Sequence, residues 1–295
     1  MIRSMEHMKK FEIVATDGRI GAVDDFYFDD ERWAIRYVVV DTGRWLPGRR
    51  VLISPLSISL SEWGAERLLL SISRDYVKNS PGIDTHQPVS RRQERDYFDY
   101  YGYPYYWGHA GLWGAHAIPV LPTPEQMASR RAAAADAQRK AAEQGDTHLR
   151  SASEVSGYVI RALDGDLGHV ENILFDDLSW AIRYFVVDTS NWWFGKHVLV
   201  APEWVADISW PARSVSVTVT RQLLKSAPQY DRAEHVDRQW EADYYQHFQQ
   251  PGYWLTEEDA RAIKAAQSYL RDDSGRHEAA VERHEAAVER RSRPR

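Results

Sequence analysis

The chain contains no cysteine among its 295 residues. That excludes disulfides, thiolate zinc sites and cysteine nucleophiles. It also lacks an excess of basic residues: 37 Lys and Arg stand against 43 Asp and Glu, the formal net charge is −6, and the pI is about 6.0. A mildly acidic chain exerts no global pull on nucleic acid or anionic lipid, so nucleic-acid binding would need a local basic patch. No apolar run approaches the ~18 residues of a membrane-spanning helix. The segment Met1–Met5 leads into charged residues through Lys10 without the apolar stretch of a secretory signal. Neither a membrane span nor a signal is expected, and the default location is cytoplasmic. G-x-S-x-G, H-E-x-x-H and P-loop motifs are missing as well. Nothing therefore points to an enzyme, and no catalytic residue, cofactor or metal is expected.

What is present is a long internal repeat. Residues 17–55 read DGRIGAVDDFYFDDERWAIRYVVVDTGRWLPGRRVLISP, and residues 164–202 read DGDLGHVENILFDDLSWAIRYFVVDTSNWWFGKHVLVAP. Asp17 matches Asp164, an offset of 147 that holds without a gap through Trp107 and Trp254. Solenoid repeats run to roughly 20–50 residues, so this offset marks duplication of a whole domain.

Each copy reads as strands. In the first, Phe11–Ala15, Ile20–Phe28, Trp33–Val40, Val51–Ile53, Leu56–Leu60 and Leu68–Ile72 are short β-prone runs broken by Asp-Gly, Asp-Asp, Pro55 and Gly64. In the second, Ser214–Val219 alternates strictly, with Val215, Val217 and Val219 on one face. Such spacing predicts a small barrel or sandwich. Short helices are expected at Arg74–Asn79 and Arg221–Ser226, before Pro81 and Pro228. Aromatic tails follow, at 94–107 and 241–254. The expected organisation is a first barrel with helix and tail over 1–108, an Ala-rich helical or disordered linker over 109–150, a second barrel with helix and tail over 151–255, and a C-terminal helix with a low-complexity tail over 256–295. Thr123-Pro124-Glu125-Gln126 and Thr256–Asp259 read as helix starts. The heptads at 276–282 and 283–289, with His277 and His284, are too few for a coiled coil.

The shared motif DGxxGxVxxxxFDDxxWAIRYxVVDT, followed by a Gly, an apolar strand and Pro55 or Pro202, resembles the PRC-barrel family. That family includes the cytoplasmic domain of the photosynthetic reaction-centre H subunit and the C-terminal domain of the ribosome maturation factor RimM. The H subunit's membrane helix and RimM's preceding domain have no match in this sequence, so neither role is carried over residue by residue. The resemblance implies two tandem, mainly β PRC-type barrels with accessory helices, used for docking rather than catalysis; two such similar barrels in one chain are expected to pair with pseudo-two-fold symmetry.

Several residues invite a functional reading. Asp29-Asp30 and Asp176-Asp177 could bind a cation, but neighbouring strand residues diverge and Asp suits turns. Asp17-Gly18 and Asp164-Gly165 precede a strand rather than a helix, which favours a hairpin over a phosphate loop. Arg36 and Arg183 sit in apolar strands; each is expected to pair with an acid such as Asp41 or Asp188, or to reach across the inter-barrel seam, with an anion site as the alternative. His169, with Asp166 and Glu171 near it in sequence, and His197 beside Lys196 lack metal spacing and have Ala22 and Arg50 as counterparts. Tyr97, Trp107, Tyr244 and Trp254 in the tails could stack on bases, but acidic neighbours favour packing against the barrel. Trp45, Trp192 and Trp193, beside Phe194, lie in a loop where they would form a binding hot spot, plug the barrel end or, the favoured reading, fill the seam.

Four functions are compatible with these residues. The first is a protein-interaction or assembly scaffold with an as yet unknown protein partner. The others are an RNA- or ribosome-associated factor, a peripheral factor of a photosynthetic or electron-transport complex, and a small-ligand binder at the seam.

Overall fold

A computed structural model describes residues 1–82, 89–107, 111–114, 116–120, 149–189, 197–231 and 236–254. The helix starts at Thr123 and Thr256, most of the linker, the heptad tail with His277 and His284, and Trp192, Trp193 and Phe194 lie outside them. Two compact units are present, Met1–His235 and Val236–Arg295.

The first unit holds both copies of the motif. Module one contains β2 (Glu12–Ala15), β3 (Gly18–Asp29), β4 (Ala34–Asp41), β5 (Arg50–Ile53), β6 (Ile58–Glu62) and β7 (Arg67–Leu70). They are hydrogen-bonded in the order β5-β4-β3-β2-β7-β6. Module two repeats this order with β9 (Val159–Ala162), β10 (Gly165–Asp176), β11 (Ile182–Asp188), β12 (His197–Val200), β13 (Val205–Ser209) and β14 (Ser214–Val217). Among the described strand pairs only β2–β7 and β9–β14 are parallel. The architecture is mainly β with accessory helices. The expected closed barrel does not appear as a continuous ring among the described residues: β5 and β6 end one path, β12 and β13 the other. A 3-10 turn, Pro55–Ser57 or Pro202–Trp204, stands between those ends. Proline has no N–H for a ladder, so Leu56–Leu60 begins as a turn rather than a strand.

The copies share their unusual backbone features. Trp33 and Trp180 adopt φ of 54° and 59°, and each ring lies on the phenylalanine five residues earlier, Phe28 or Phe175, with centroids 5.9 and 5.4 Å apart. A Cβ on Gly21 would lie 2.0 Å from the Asp41 carbonyl oxygen, and one on Gly168 would lie 1.9 Å from that of Asp188. Glycine is required there because β3 and β10 bend onto the strand that follows.

The main departure from the expected organisation is an exchange of arms. The first residues form β1 (Ile2–Ser4) and α1 (Met5–Met8), and β1 pairs with β10 of module two. Leu149–Ser151, of which Leu149 and Arg150 fall in the expected linker, form β8, followed by α4 (Ala152–Val155), and β8 pairs with β3 of module one. The registers are images at the same offset: Ile2 faces Asp176 and Leu149 faces Asp29. Each arm covers a strand edge that would otherwise be open.

Helices α2 (Arg74–Lys78) and α5 (Arg221–Ser226) follow the sheets as expected. The hairpin aspartates cap them: Asp17 accepts from Arg74 N at 2.7 Å, and Asp164 from Arg221 N at 2.6 Å. That bond holds the exposed Asp164 carboxyl below its ordinary range. The aromatic tails are partly helical, which was not expected. α3 (Arg91–Tyr101) starts at a Ser90–Gln93 capping box and buries Glu94, Tyr97, Phe98 and Tyr101, the one-face spacing of a helix. Seven consecutive residues of β4, Ala34–Val40, are buried. α3 meets that strand through Tyr37, whose ring is edge-on to Tyr97 at 5.2 Å. In the second unit, α6 (Arg238–His247) is the equivalent helix, capped by Asp237.

Candidate functional site

The charged residues of the repeated motif serve local architecture. Asp29 Oδ1 accepts from the backbone N–H groups of Glu31 and Arg32, the expected turn chemistry. Its other oxygen meets the Arg36 guanidinium at 3.0 Å, with both side chains buried. The partner of Arg36 is therefore Asp29, not Asp41, whose carboxylate accepts from Gly43 N instead. Arg36 also donates to the Leu112 carbonyl at 2.6 Å, and its guanidinium lies 3.7 Å from the Tyr106 ring centroid. A buried arginine is tolerable only when charge and donors are met together, as they are here.

Beside this pair lies a second buried carboxylate. Glu94 accepts from Tyr106 at 2.6 Å, from Tyr37 at 3.2 Å and from Arg91 at 2.9 Å. Burial pushes the Tyr37 and Tyr106 phenols well above their ordinary range, and the Glu94 charge adds to it. Tyr97 is shifted the same way by burial; it donates to the Leu52 carbonyl at 2.9 Å. Trp107 packs on Tyr105 at 4.6 Å and under Arg91 at 4.5 Å. The first tail is thus packed against its sheet.

The second unit repeats the inner geometry of this cluster. Arg238 meets Glu241 at 3.0 Å, Tyr253 donates to Glu241 at 2.9 Å, and the Arg238 guanidinium lies 4.4 Å from the Trp254 ring. Tyr244 is buried and stacks on Trp240 at 4.7 Å. Arg91, Glu94 and Tyr106 recur as Arg238, Glu241 and Tyr253 at the repeat offset. That recurrence was the available signal for a cluster that was not anticipated.

The seam between the modules is built from backbone and aromatic contacts. Ile35 N donates to Trp180 O at 2.8 Å, and Ile182 N to Trp33 O at 2.7 Å. Trp33 packs edge-on to Phe185 at 5.5 Å. Trp113, from the expected linker, donates from Nε1 to the Ser179 carbonyl at 2.7 Å. The arms add matched polar bonds: Arg3 meets Asp177 at 3.0 Å, and Arg150 meets Asp30 at 2.8 Å. Each of these guanidiniums also covers an indole, Trp63 at 4.3 Å or Trp210 at 3.9 Å.

Of the other expected residues, Arg183 reaches the Ser179 hydroxyl at 3.5 Å and helps lower the pKa of Asp176. Trp45 lies under Arg74 at 4.9 Å, within its own module. In module two, His197 meets Glu171 at 3.0 Å and His169 meets Asp188 at 3.6 Å. The first is the image of the Arg50–Asp24 pair at 3.1 Å in module one. Among the described residues no group of three or more metal-ligating side chains is placed to hold an ion. No helix among them is long and apolar enough to cross a membrane.

Comparison with protein-family models gives no match, and no curated protein has a significantly similar sequence.

Proposed function

We propose that the chain is a tandem PRC-barrel protein acting as a non-enzymatic assembly scaffold. One observation carries this reading: the charged residues of the repeated motif are used to hold the fold. Asp17 and Asp164 cap helices, Asp29 ties Arg36 to a turn, and Asp30 and Asp177 anchor the arms. A motif spent on architecture, in a pair of modules fixed to one another, suits presentation of a surface better than turnover of a substrate. The aromatic tail that might have stacked on bases has its rings packed, which argues against the nucleic-acid reading.

The test is affinity capture of the full chain from native cells, repeated with the tag on each recovered candidate. The expected result is a protein that co-purifies in fixed proportion in both directions. A chain that purifies alone under every growth condition contradicts the reading. Co-sedimentation with ribosomal particles at low salt would replace it with the RimM-like one.

A further inference from the structure

We infer that the surface pairing the two modules is also a docking surface for a second copy of the chain, so that module one of one copy pairs with module two of another. This goes beyond the scaffold reading and does not rest on it. The pairing is isologous in form. Ala34 bridges Ala181, the two arms dock in identical register, and the polar bonds recur on both sides: Glu6 N to Asn172 and Ser153 N to Asp25, Arg3 to Asp177 and Arg150 to Asp30.

The ladder bonds of β1 run to module two, and those of β8 run to module one. Each module therefore receives its arm from a partner module rather than from itself. That is the arrangement by which identical elements are exchanged between protomers. These pairing contacts are the same whether the partner module belongs to the same chain or to another. The tether alone distinguishes the two cases. Residues 121–148 can span at most about 95 Å when extended. Joining two pairing modules in one chain sets an effective concentration, in the millimolar range where the connection is flexible. Pairing within one chain therefore dominates when the protein is dilute, and exchange between chains competes as its concentration approaches that value.

The absence of cysteine makes the test clean. Ser4 and Leu174 are Cα partners across β1 and β10, and opposed strand residues fall within disulfide reach. The full-length S4C/L174C variant is unfolded, refolded at roughly 5 μM, far below the effective concentration, or roughly 0.5 mM, close to it, oxidised, and run on a non-reducing denaturing gel. The expected result is an intrachain product at the low concentration and, as a fraction of the protein, a disulfide-linked dimer band roughly 50–100-fold stronger at the high one. The Y27C/S151C pair at the other seat gives the same readout if the first variant folds poorly. Intrachain product alone at both concentrations overturns the inference. So does a dimer in gel filtration that runs as a monomer on the gel, which would be side-by-side association. A folded protein that forms neither cross-link also overturns it.

Discussion

Ala34 and Ala181, which hold the same place in the two modules, face one another in an antiparallel bridge. The flanking bonds, Ile35 N to Trp180 O and Ile182 N to Trp33 O, are images of each other. A contact of this form is what a two-fold dimer makes with itself, here within one chain. Trp33 and Trp180 reach it by adopting positive φ, a conformation costly for a bulky residue and held in place by the packing around each ring.

The glycine that permits the strand bend should be irreplaceable in both modules. Gly21→Ala and Gly168→Ala are each expected to destabilise the protein by about 2–4 kcal/mol, because the added methyl meets backbone that cannot move aside. Gly43→Ala, where nothing lies within 4 Å, should cost only about 1 kcal/mol through its positive φ. Urea unfolding midpoints distinguish these outcomes.

The buried Arg36–Asp29 pair should be more sensitive to loss of one partner than of both. Arg36→Ala or Asp29→Ala leaves a buried charge unmatched and should cost about 3–5 kcal/mol. Arg36→Ala combined with Asp29→Ala should cost less than the sum of the two single changes, as a double-mutant cycle would show.

Alkaline stability should follow the buried phenols. Tyr37, Tyr97 and Tyr106 are raised in the fold, chiefly by burial. Above a pH of about 10 the unfolded chain loses protons that the folded chain keeps, so stability falls as pH rises. Ultraviolet titration should show these tyrosines ionising only as the protein unfolds. Tyr101, raised by burial to about 12, should titrate separately. Tyr106→Phe should remove part of the alkaline dependence and cost about 1–3 kcal/mol by withdrawing a donor from Glu94.

Acid stability should follow Asp176. Burial pushes its carboxyl up, but bonds from the Ser179 N–H and hydroxyl, with the α-ammonium and Arg183 nearby, bring it below its ordinary value. A depressed folded pKa gives stability that is present above the ordinary carboxylate range and is lost as pH falls through the folded value. Asp176→Asn should flatten the unfolding midpoint against pH below about 4 without changing the alkaline limb.

Much of the module was legible in the sequence because its signals are local. The Asp-Gly hairpins, the apolar run of β4 and the helix at Arg221–Ser226 stand where the residues place them. What could not be read is non-local. The residues Ile2–Ser4 carry no sign that their ladder partner lies some 170 positions away, and Arg36 gives no preference between Asp41 and Asp29 until the turn brings Asp29 round. Helix α3 was legible in principle, from the Ser90–Gln93 box and the spacing of Glu94, Tyr97, Phe98 and Tyr101, but its aromatic density reads first as an irregular tail packed on the barrel. Trp45 was expected at the seam, whereas Arg74 holds it within its own module.

The most direct measurement is the set of backbone nuclear Overhauser contacts made by Ile2–Ser4 in a deuterated sample of the full chain. Contacts to Leu174–Asp176 are expected, mirrored by contacts from Leu149–Ser151 to Tyr27–Asp29. Contacts from Ile2–Ser4 to Tyr27–Asp29 instead would mean that each arm folds back on its own module, and the reciprocal pairing would be wrong.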